Sequence, residues 1–181
     1  MHPRLRAPFV ALALAAACAA LPLRAQAPPP LSPEQLAFQQ EVGTWDAEVR
    51  FWMDPAEEPM VAKGEEVNTL IIDGAFLETR FTSTFGGQPY EGRGHTGFDV
   101  HHQRYISTWA DTDRLLVVST GKKDAQGALV LTSRRPDAKG RMQDWREVST
   151  RVDADHRVFV MSRKDGKGWV KVMEIRYTRR K

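Results

Sequence analysis

The segment Gly43–Phe51 reads Gly-Thr-Trp-Asp-Ala-Glu-Val-Arg-Phe and has the clearest strand pattern of the chain. From Trp45 onward, apolar side chains alternate with charged ones, which is the period of a half-buried strand. A short helical pattern precedes this segment. Ser32 and Gln35 fit a capping box, and Pro33 fits the first helical position. We therefore predict a short N-terminal helix that leads directly into the first strand.

Tight-turn signals and short polar loops divide the rest of the chain, and Asp73-Gly74 and Gly86-Gly87 are two of them. The segments between them predict ten strands, near residues 44–53, 61–72, 75–85, 91–100, 103–111, 114–122, 128–135, 141–152, 156–164 and 168–178. Consecutive strands with short connections form an up-and-down meander. Because a long meander must dispose of its edges, we predict an all-β, closed or nearly closed antiparallel barrel of about ten strands.

The interior of this barrel is expected to contain a cavity. A barrel of this size either fills its middle with side chains or leaves room for one small ligand. Several positions that the alternation assigns to the inside are small or polar: Ala47, Thr79, Ser83, Ser107 and Ser119. These side chains favour a cavity over a solid apolar core.

The first 27 residues have the pattern of a secretory signal peptide. Arg4 and Arg6 precede an apolar run shorter than the ~20 residues of a membrane span. Residues 25–27, Ala-Gln-Ala, fit the small-x-small cleavage rule. Two alternatives remain, an uncleaved anchor and a lipoprotein cut before Cys18. The predicted organisation is a signal peptide over 1–27, a Pro-rich tether over 28–32 and a barrel over 33–181, in a periplasmic or secreted protein.

The charge balance argues against a nucleic-acid partner. The chain carries 26 Lys and Arg against 23 Asp and Glu, a net charge of +3. Three arginines lie within residues 1–27, so the remainder is balanced at 23 of each sign. Cleavage there would also remove the only cysteine, and with it any disulfide or thiolate chemistry. We expect no nucleic acid, no membrane span after cleavage, and leave the oligomeric state open.

Gly43-Thr44-Trp45 after a short helix resembles the Gly-x-Trp signature of the lipocalin and calycin superfamily. In those proteins the tryptophan closes one barrel end and an arginine from the last strand lies across its ring. The resemblance implies these structural roles for Trp45 and Arg179, a cation–π pair worth about 0.5–2 kcal/mol. The alternative for Arg179 is an exposed place in a basic tail.

A second resemblance covers nearly all of the chain after residue 27. Its order and spacing resemble the bacterial domain-of-unknown-function family numbered fifteen seventy-nine, which is placed among the calycins. The segments that carry it are Asp73–Glu78, Tyr90–Gly92, Gly97–Asp99, Ile106–Asp111 and Met173–Arg179. The family implies the fold and secretion, and no particular activity.

A haem or metal cofactor is not expected. The nitrobindins, a family of haem-binding barrels, carry further glycines after the opening tryptophan, where this chain has residues 46–48, Asp-Ala-Glu.

The side chains of His95, Asp99, His101 and His102 could bind a transition metal. In a strand, however, they would spread over ~20 Å, and the two last histidines fit a hairpin loop better.

Ligand-binding residues are expected among the aromatic and polar side chains of the strands. Tyr105, Trp109 and Tyr177 offer rings for stacking, with ordinary barrel packing as the alternative. His95 is a candidate to face the cavity, because nearby glycines allow a bulge that re-aims it.

Arg146 is the candidate cation of the cavity. It shares the alternation of the apolar residues Met142 and Val148, which we expect to face inward. A buried guanidinium needs a partner, which is either Asp144 or an acidic group of the ligand.

Three functions fit these observations. The favoured one is a secreted barrel that binds a small apolar or amphipathic molecule in its interior. An enzyme acting on a lipid-like or cofactor-like substrate in the same cavity is the alternative, although the chain has no Gly-x-Ser-x-Gly elbow and no Gly-rich phosphate loop. The third is an interaction module with a filled barrel. No catalytic residue is assigned.

We predict that residues 1–27 are removed on export, because they carry the three regions of a cleavable signal. N-terminal sequencing of the exported protein should begin at Pro28. A sequence that begins at Met1 contradicts the prediction, and a lipidated Cys18 at the N-terminus supports the lipoprotein alternative.

Overall fold

The structure, a computed structural model, describes residues 28–137, 139–166 and 168–181. The expected signal peptide lies outside the described residues. Leu31–Lys181 forms one compact unit. Its elements are α1 Pro33–Leu36, a 3-10 helix Ala37–Glu41, β1 Gly43–Phe51, β2 Met60–Ile71, β3 Phe76–Phe85, β4 Gln88–Asp99, β5 Arg104–Asp111, β6 Leu116–Lys123, β7 Leu129–Pro136, β8 Met142–Arg151, β9 His156–Asp165 and β10 Gly168–Arg179.

The ten strands form a closed antiparallel barrel, which confirms the predicted fold. Each strand pairs with the next along the chain, and β1 also pairs with β10. This closing seam places Trp45 opposite Arg179. The guanidinium carbon of Arg179 lies 4.0 Å from the centre of the Trp45 ring. Closure gives every described strand two neighbours and so leaves none of them as a sheet edge.

The helical segment begins as the sequence predicts. The Ser32 hydroxyl accepts from the Gln35 amide at 3.3 Å, and the Gln35 side chain accepts from the Ser32 amide at 2.9 Å. The chain then continues as the 3-10 helix and enters β1 at Gly43, whose φ is +129°. A Cβ at Gly43 would lie 2.9 Å from Nη1 of Arg179, so glycine allows both the turn and the approach of the guanidinium.

Strand β10 contains an irregularity that decides which side chains face the interior. Its pairing with β9 shifts between Lys171 and Met173, so Val172 is an extra residue. A bulge of this kind reverses the alternation of side chains. After it, Ile175 and Tyr177 are buried in the core, whereas Trp169 before it is 36% exposed on the outer face.

The outer face of β6 to β9 carries several valines beside its polar residues. Val118 is 58% exposed. On the neighbouring strands, Val148 lies in register between Val130 and Val160. Their sequence neighbours Ser119 and Glu147 are hydrogen-bonded to each other inside the barrel. On these strands an apolar side chain therefore does not mark the inside.

Replacing Trp45 by Ala should lower the free energy of unfolding by about 3–5 kcal/mol, because a fully buried aromatic side chain is lost. Urea unfolding measures this change. The matched control is Trp169→Ala on the outer face, which should cost no more than about 1 kcal/mol, the scale of an exposed cation–π contact. Equal losses in the two variants would contradict the closing role of Trp45.

Candidate functional site: the barrel interior

The barrel end next to the helix is filled by apolar side chains. Phe38 from the 3-10 helix packs against Leu77, Tyr105 and Leu131, and all four are buried. The ring of Tyr105 meets those of Phe38 and Phe98 edge to face, at centroid distances of 6.2 and 5.0 Å. Tyr105 was predicted to bind ligand, but the structure places it in this plug.

Beneath the plug lies a buried arginine between two aromatic rings. The guanidinium carbon of Arg157 lies 4.7 Å from the centre of the Trp45 ring and 4.0 Å from that of Tyr177. Its charge is paired with Glu66, which is 5% exposed. Burial favours the neutral form of Arg157 and lowers its pKa, but the Glu66 carboxylate counteracts this, and the pKa of Arg157 is raised overall. The predicted ligand residue Tyr177 is thus inside the barrel, covered by Arg157.

The carbonyl groups at the end of the 3-10 helix are held by side chains from the strands. Arg151 and Arg179 each donate to the Gln40 carbonyl at 2.7 Å. The Trp45 indole donates to the Glu41 carbonyl at 3.0 Å, and Asn68 donates to the same oxygen at 3.2 Å. We call this end, from Phe38 to Arg157, the closed half.

The other half of the interior, away from the helix, is not fully packed. Its inward-facing side chains pack on the core or contact one another but stay only partly buried: Tyr90, Trp109, Arg135, Trp145, Glu147, Phe159, Met161 and Met173. In a closed barrel, an inward side chain meets solvent only through the interior or through the barrel end. We call this region the open half. It is the candidate ligand site.

A buried ion pair lies in the open half. The side chains of Arg135 and Glu147 form a direct salt bridge and are only 12% and 16% exposed. Nε of Arg135 donates to the Ser133 hydroxyl at 3.2 Å, and Nη1 lies 3.5 Å from the sulfur of Met161. The Ser119 hydroxyl donates to Glu147 at 3.3 Å. Four strands thus converge on one cation and one carboxylate.

The low polarity around this pair shifts both ionisations towards the neutral forms. Burial raises the pKa of the Glu147 carboxyl, although Arg135 and Ser119 oppose the shift. Burial likewise lowers the pKa of Arg135, against the attraction of Glu147. Each charge is therefore strongly dependent on its partner.

Aromatic rings complete the open half. The Arg135 guanidinium carbon lies 5.0 Å from the centre of the Trp145 ring. The Trp145 indole Nε1 is buried and has no hydrogen-bond partner among the described residues. The Trp109 indole donates to the Tyr90 hydroxyl at 3.3 Å.

Glycines on β4 let the Trp109 ring lie against the barrel wall. A Cβ at Gly92 would come within 2.1 Å of the ring, and one at Gly94 within 2.9 Å. Such distances are far below ordinary contact, so the position of Trp109, a predicted ligand residue, requires glycine at both places.

Arg146 does not face the cavity, and the prediction that it does is wrong. The pairing of β8 with β7 and β9 directs Trp145 and Glu147 inward, so Arg146 between them lies outside. Its guanidinium carbon lies 4.7 Å from the centre of the exposed Trp169 ring. The prediction relied on Val148 as an inward neighbour, but Val148 lies on the outer face, between Val130 and Val160.

His95 also lies on the outer face rather than in the cavity. Its side chain is 51% exposed, and its Nε2 lies 3.6 Å from a Glu78 oxygen. The glycines nearby do not re-aim it, because β4 keeps a regular register with β3 and β5. His101 and His102 lie in the β4–β5 hairpin loop, and the described residues contain no group of three or more His, Cys, Asp or Glu side chains arranged to hold a metal.

The sequence reasoning missed the charged residues of the two interior ion pairs: Glu66, Arg135, Glu147 and Arg157. A signal for one of them was available. Leu131, Ser133 and Arg135 alternate on β7, and the first two are buried. Because Arg135 continues this alternation, it could have been predicted to face the interior as well.

A closed ten-stranded barrel with a plugged end and a partly polar interior is a lipocalin-like barrel. The chain belongs to the family described as "Protein of unknown function (DUF1579)", whose model matches residues 31–179. This confirms the family resemblance predicted from the sequence. No curated protein matches the chain.

Two solved structures share the fold. An S-type phycobiliprotein lyase from Guillardia theta is 12% identical, with a TM-score of 0.59, and the match covers 82% of this chain and 93% of that one. The protein Rv2717c of M. tuberculosis is 14% identical, with a TM-score of 0.60 and coverage of 84% and 100%. At these identities the likeness shows the fold alone. None of the helices within the described residues is long and apolar enough to cross a membrane.

Replacing Glu147 alone by Leu should lower the free energy of unfolding by about 3–5 kcal/mol, because it leaves Arg135 as an unpaired buried cation. Replacing both residues, as Arg135→Met with Glu147→Leu, should recover most of that loss, since an apolar pair needs no partner. Urea unfolding of the unmodified protein, the single variants Glu147→Leu and Arg135→Met, and the double variant gives the coupling energy. A double variant as unstable as the sum of the single variants would show that the two charges do not depend on each other.

Proposed function

We propose that this protein is a secreted or periplasmic barrel that binds one small amphipathic molecule in its open half. The observation that carries the proposal is the partial accessibility of inward-facing aromatic side chains around a buried ion pair. A barrel that served only as a scaffold would gain stability by filling this space with apolar side chains.

The chemistry of the walls indicates the kind of molecule. Trp109, Trp145 and Phe159 offer flat apolar surfaces, and Met161 and Met173 adapt to irregular shapes. Polar groups are few and lie together, as in small-molecule sites where they fix the orientation of a mainly apolar ligand. A molecule with an aromatic or aliphatic body and one polar end fits both features.

The polar end of the ligand is expected to accept hydrogen bonds. The buried Trp145 indole N–H has no acceptor among the described residues, and the nearby Nη1 of Arg135 reaches only a thioether sulfur. Buried donors without acceptors are unfavourable. An oxygen of the ligand would satisfy them.

The similar barrels support this proposal only through their shared fold. One of them is a phycobiliprotein lyase, and that activity belongs to that protein. The residues of this chain, rather than that likeness, support the interior as the site.

N-phenylnaphthylamine, an uncharged aromatic probe that fluoresces in apolar surroundings, should bind with a saturable rise in fluorescence. Met161→Trp, which places a bulkier side chain inside the open half, should weaken binding by about tenfold or more, equivalent to ~1.4 kcal/mol. The matched control is Val160→Trp, whose side chain lies on the outer face and should leave the affinity unchanged. Absence of binding to the unmodified protein would refute the proposal.

A further inference from the structure

Arg135 retains unused hydrogen-bonding capacity. A guanidinium carries five N–H donors. The described residues supply protein oxygens to two of them, from Ser133 and Glu147, while Met161 supplies only sulfur. The geometry of the fork favours two parallel bonds to one acidic group, and Glu147 occupies only one nitrogen.

We propose, on the basis of the proposed function, that the ligand is an amphipathic anion whose acidic group replaces Glu147 as the partner of Arg135. When this anion binds, Glu147 takes up a proton from solvent. The anion and one proton enter the open half. The proton forms an O–H bond with a Glu147 oxygen, and no other covalent bond changes.

Charge neutrality is the reason for the proton. Arg135 and Glu147 together are neutral, so an anion alone would leave one uncompensated negative charge in a site where both side chains are mostly buried. Such a charge is costly away from water. A proton on Glu147 restores neutrality while the anion keeps the cation.

Glu147 has a suitable neighbour for its protonated form. The Ser119 hydroxyl, 3.3 Å away, donates to the carboxylate now, and a hydroxyl can equally accept from a protonated carboxyl. The group can therefore change its protonation state without losing this contact. Burial already raises the pKa of Glu147, which makes it the readiest proton acceptor of the site.

Among the described residues, three other ionisable groups lie near the pair: Asp111, Tyr90 and Arg163. Asp111, at the end of β5 away from the helix, accepts from the Tyr90 hydroxyl at 3.0 Å and from the backbone amides of Asp113 and Leu115 at 3.0 and 3.3 Å. Burial raises the pKa of Tyr90, which keeps its hydroxyl neutral. Arg163 shares the inward face of β9, opposite Trp145, and is a further cation in the open half.

The sign of the pH dependence follows from proton uptake. While Glu147 is ionised in the free protein, each unit of falling pH should tighten anion binding by up to about tenfold. Below the pKa of Glu147 the proton is already present, and the affinity should become constant. A neutral ligand requires no proton and should show no such slope.

The test uses a matched pair of probes, anilinonaphthalene sulfonate and N-phenylnaphthylamine, which share their rings and differ by a sulfonate that stays ionised. For the unmodified protein, the affinity for the anion should rise as the pH falls between about pH 8 and pH 5, and the affinity for the neutral probe should stay constant. Calorimetry in buffers of different ionisation enthalpy should give an uptake of about one proton per anion at the upper pH.

Variants assign the proton to its residue. Glu147→Gln should bind the anion more tightly than the unmodified protein at about pH 8 and should lose the slope, because no proton is needed to free Arg135. Arg135→Gln should reduce anion binding to the level of the neutral probe. The matched control is Asp144→Asn, on the outer face of β8, the strand that carries Glu147. This variant should keep the pH dependence of anion binding.

The outcomes separate this inference from the function on which it rests. If the neutral probe does not bind, the proposed function fails. If the neutral probe binds but the anion binds without proton uptake, or Glu147→Gln keeps the slope, only the proton-coupled exchange is overturned. The proton uptake that calorimetry measures on the unmodified protein tests the proton-coupled exchange even if a variant does not fold.

Discussion

The barrel depends on a stack of cations and aromatic rings around Trp45. Arg179 from the last strand lies over one side of the stack at 4.0 Å, and Arg157 from β9 lies between Trp45 and Tyr177. The two guanidinium groups tolerate each other because Glu66 and the carbonyls of the 3-10 helix take up their donors. One side chain that is fully buried thus joins the closing seam, the helical plug and the interior.

This stack makes the two halves of the interior different. In the closed half, Arg157 and Arg179 lie against aromatic rings, and Glu66 and the carbonyls of the 3-10 helix accept from them. In the open half, a single ion pair lies beside partly accessible rings. A buried ion pair is a poor source of stability compared with well-packed apolar side chains. Its presence in the half that admits solvent is therefore better explained by binding than by folding.

The sequence predicted the architecture well because the alternation in β1 is clean and the turns are strongly marked. Trp45 and Arg179 could be paired in advance, since closure alone brings the first and last strands together. The site was harder to predict. Apolar residues such as Val148 mark the outside of β8, while Glu147 faces the inside, which is the reverse of the usual pattern. The bulge at Val172 gave no sequence signal.

One end of the barrel is sealed and the other admits solvent. Hydrogen exchange of the indole N–H groups, followed by NMR, distinguishes the two ends. Trp45 and Trp109 both donate a hydrogen bond inside the barrel, to the Glu41 carbonyl and to the Tyr90 hydroxyl, so they form a matched comparison. We expect the Trp45 N–H to exchange only when the barrel unfolds and the Trp109 N–H to exchange much faster in the folded protein. Equally slow exchange of both would contradict it and would show that the interior is closed at both ends.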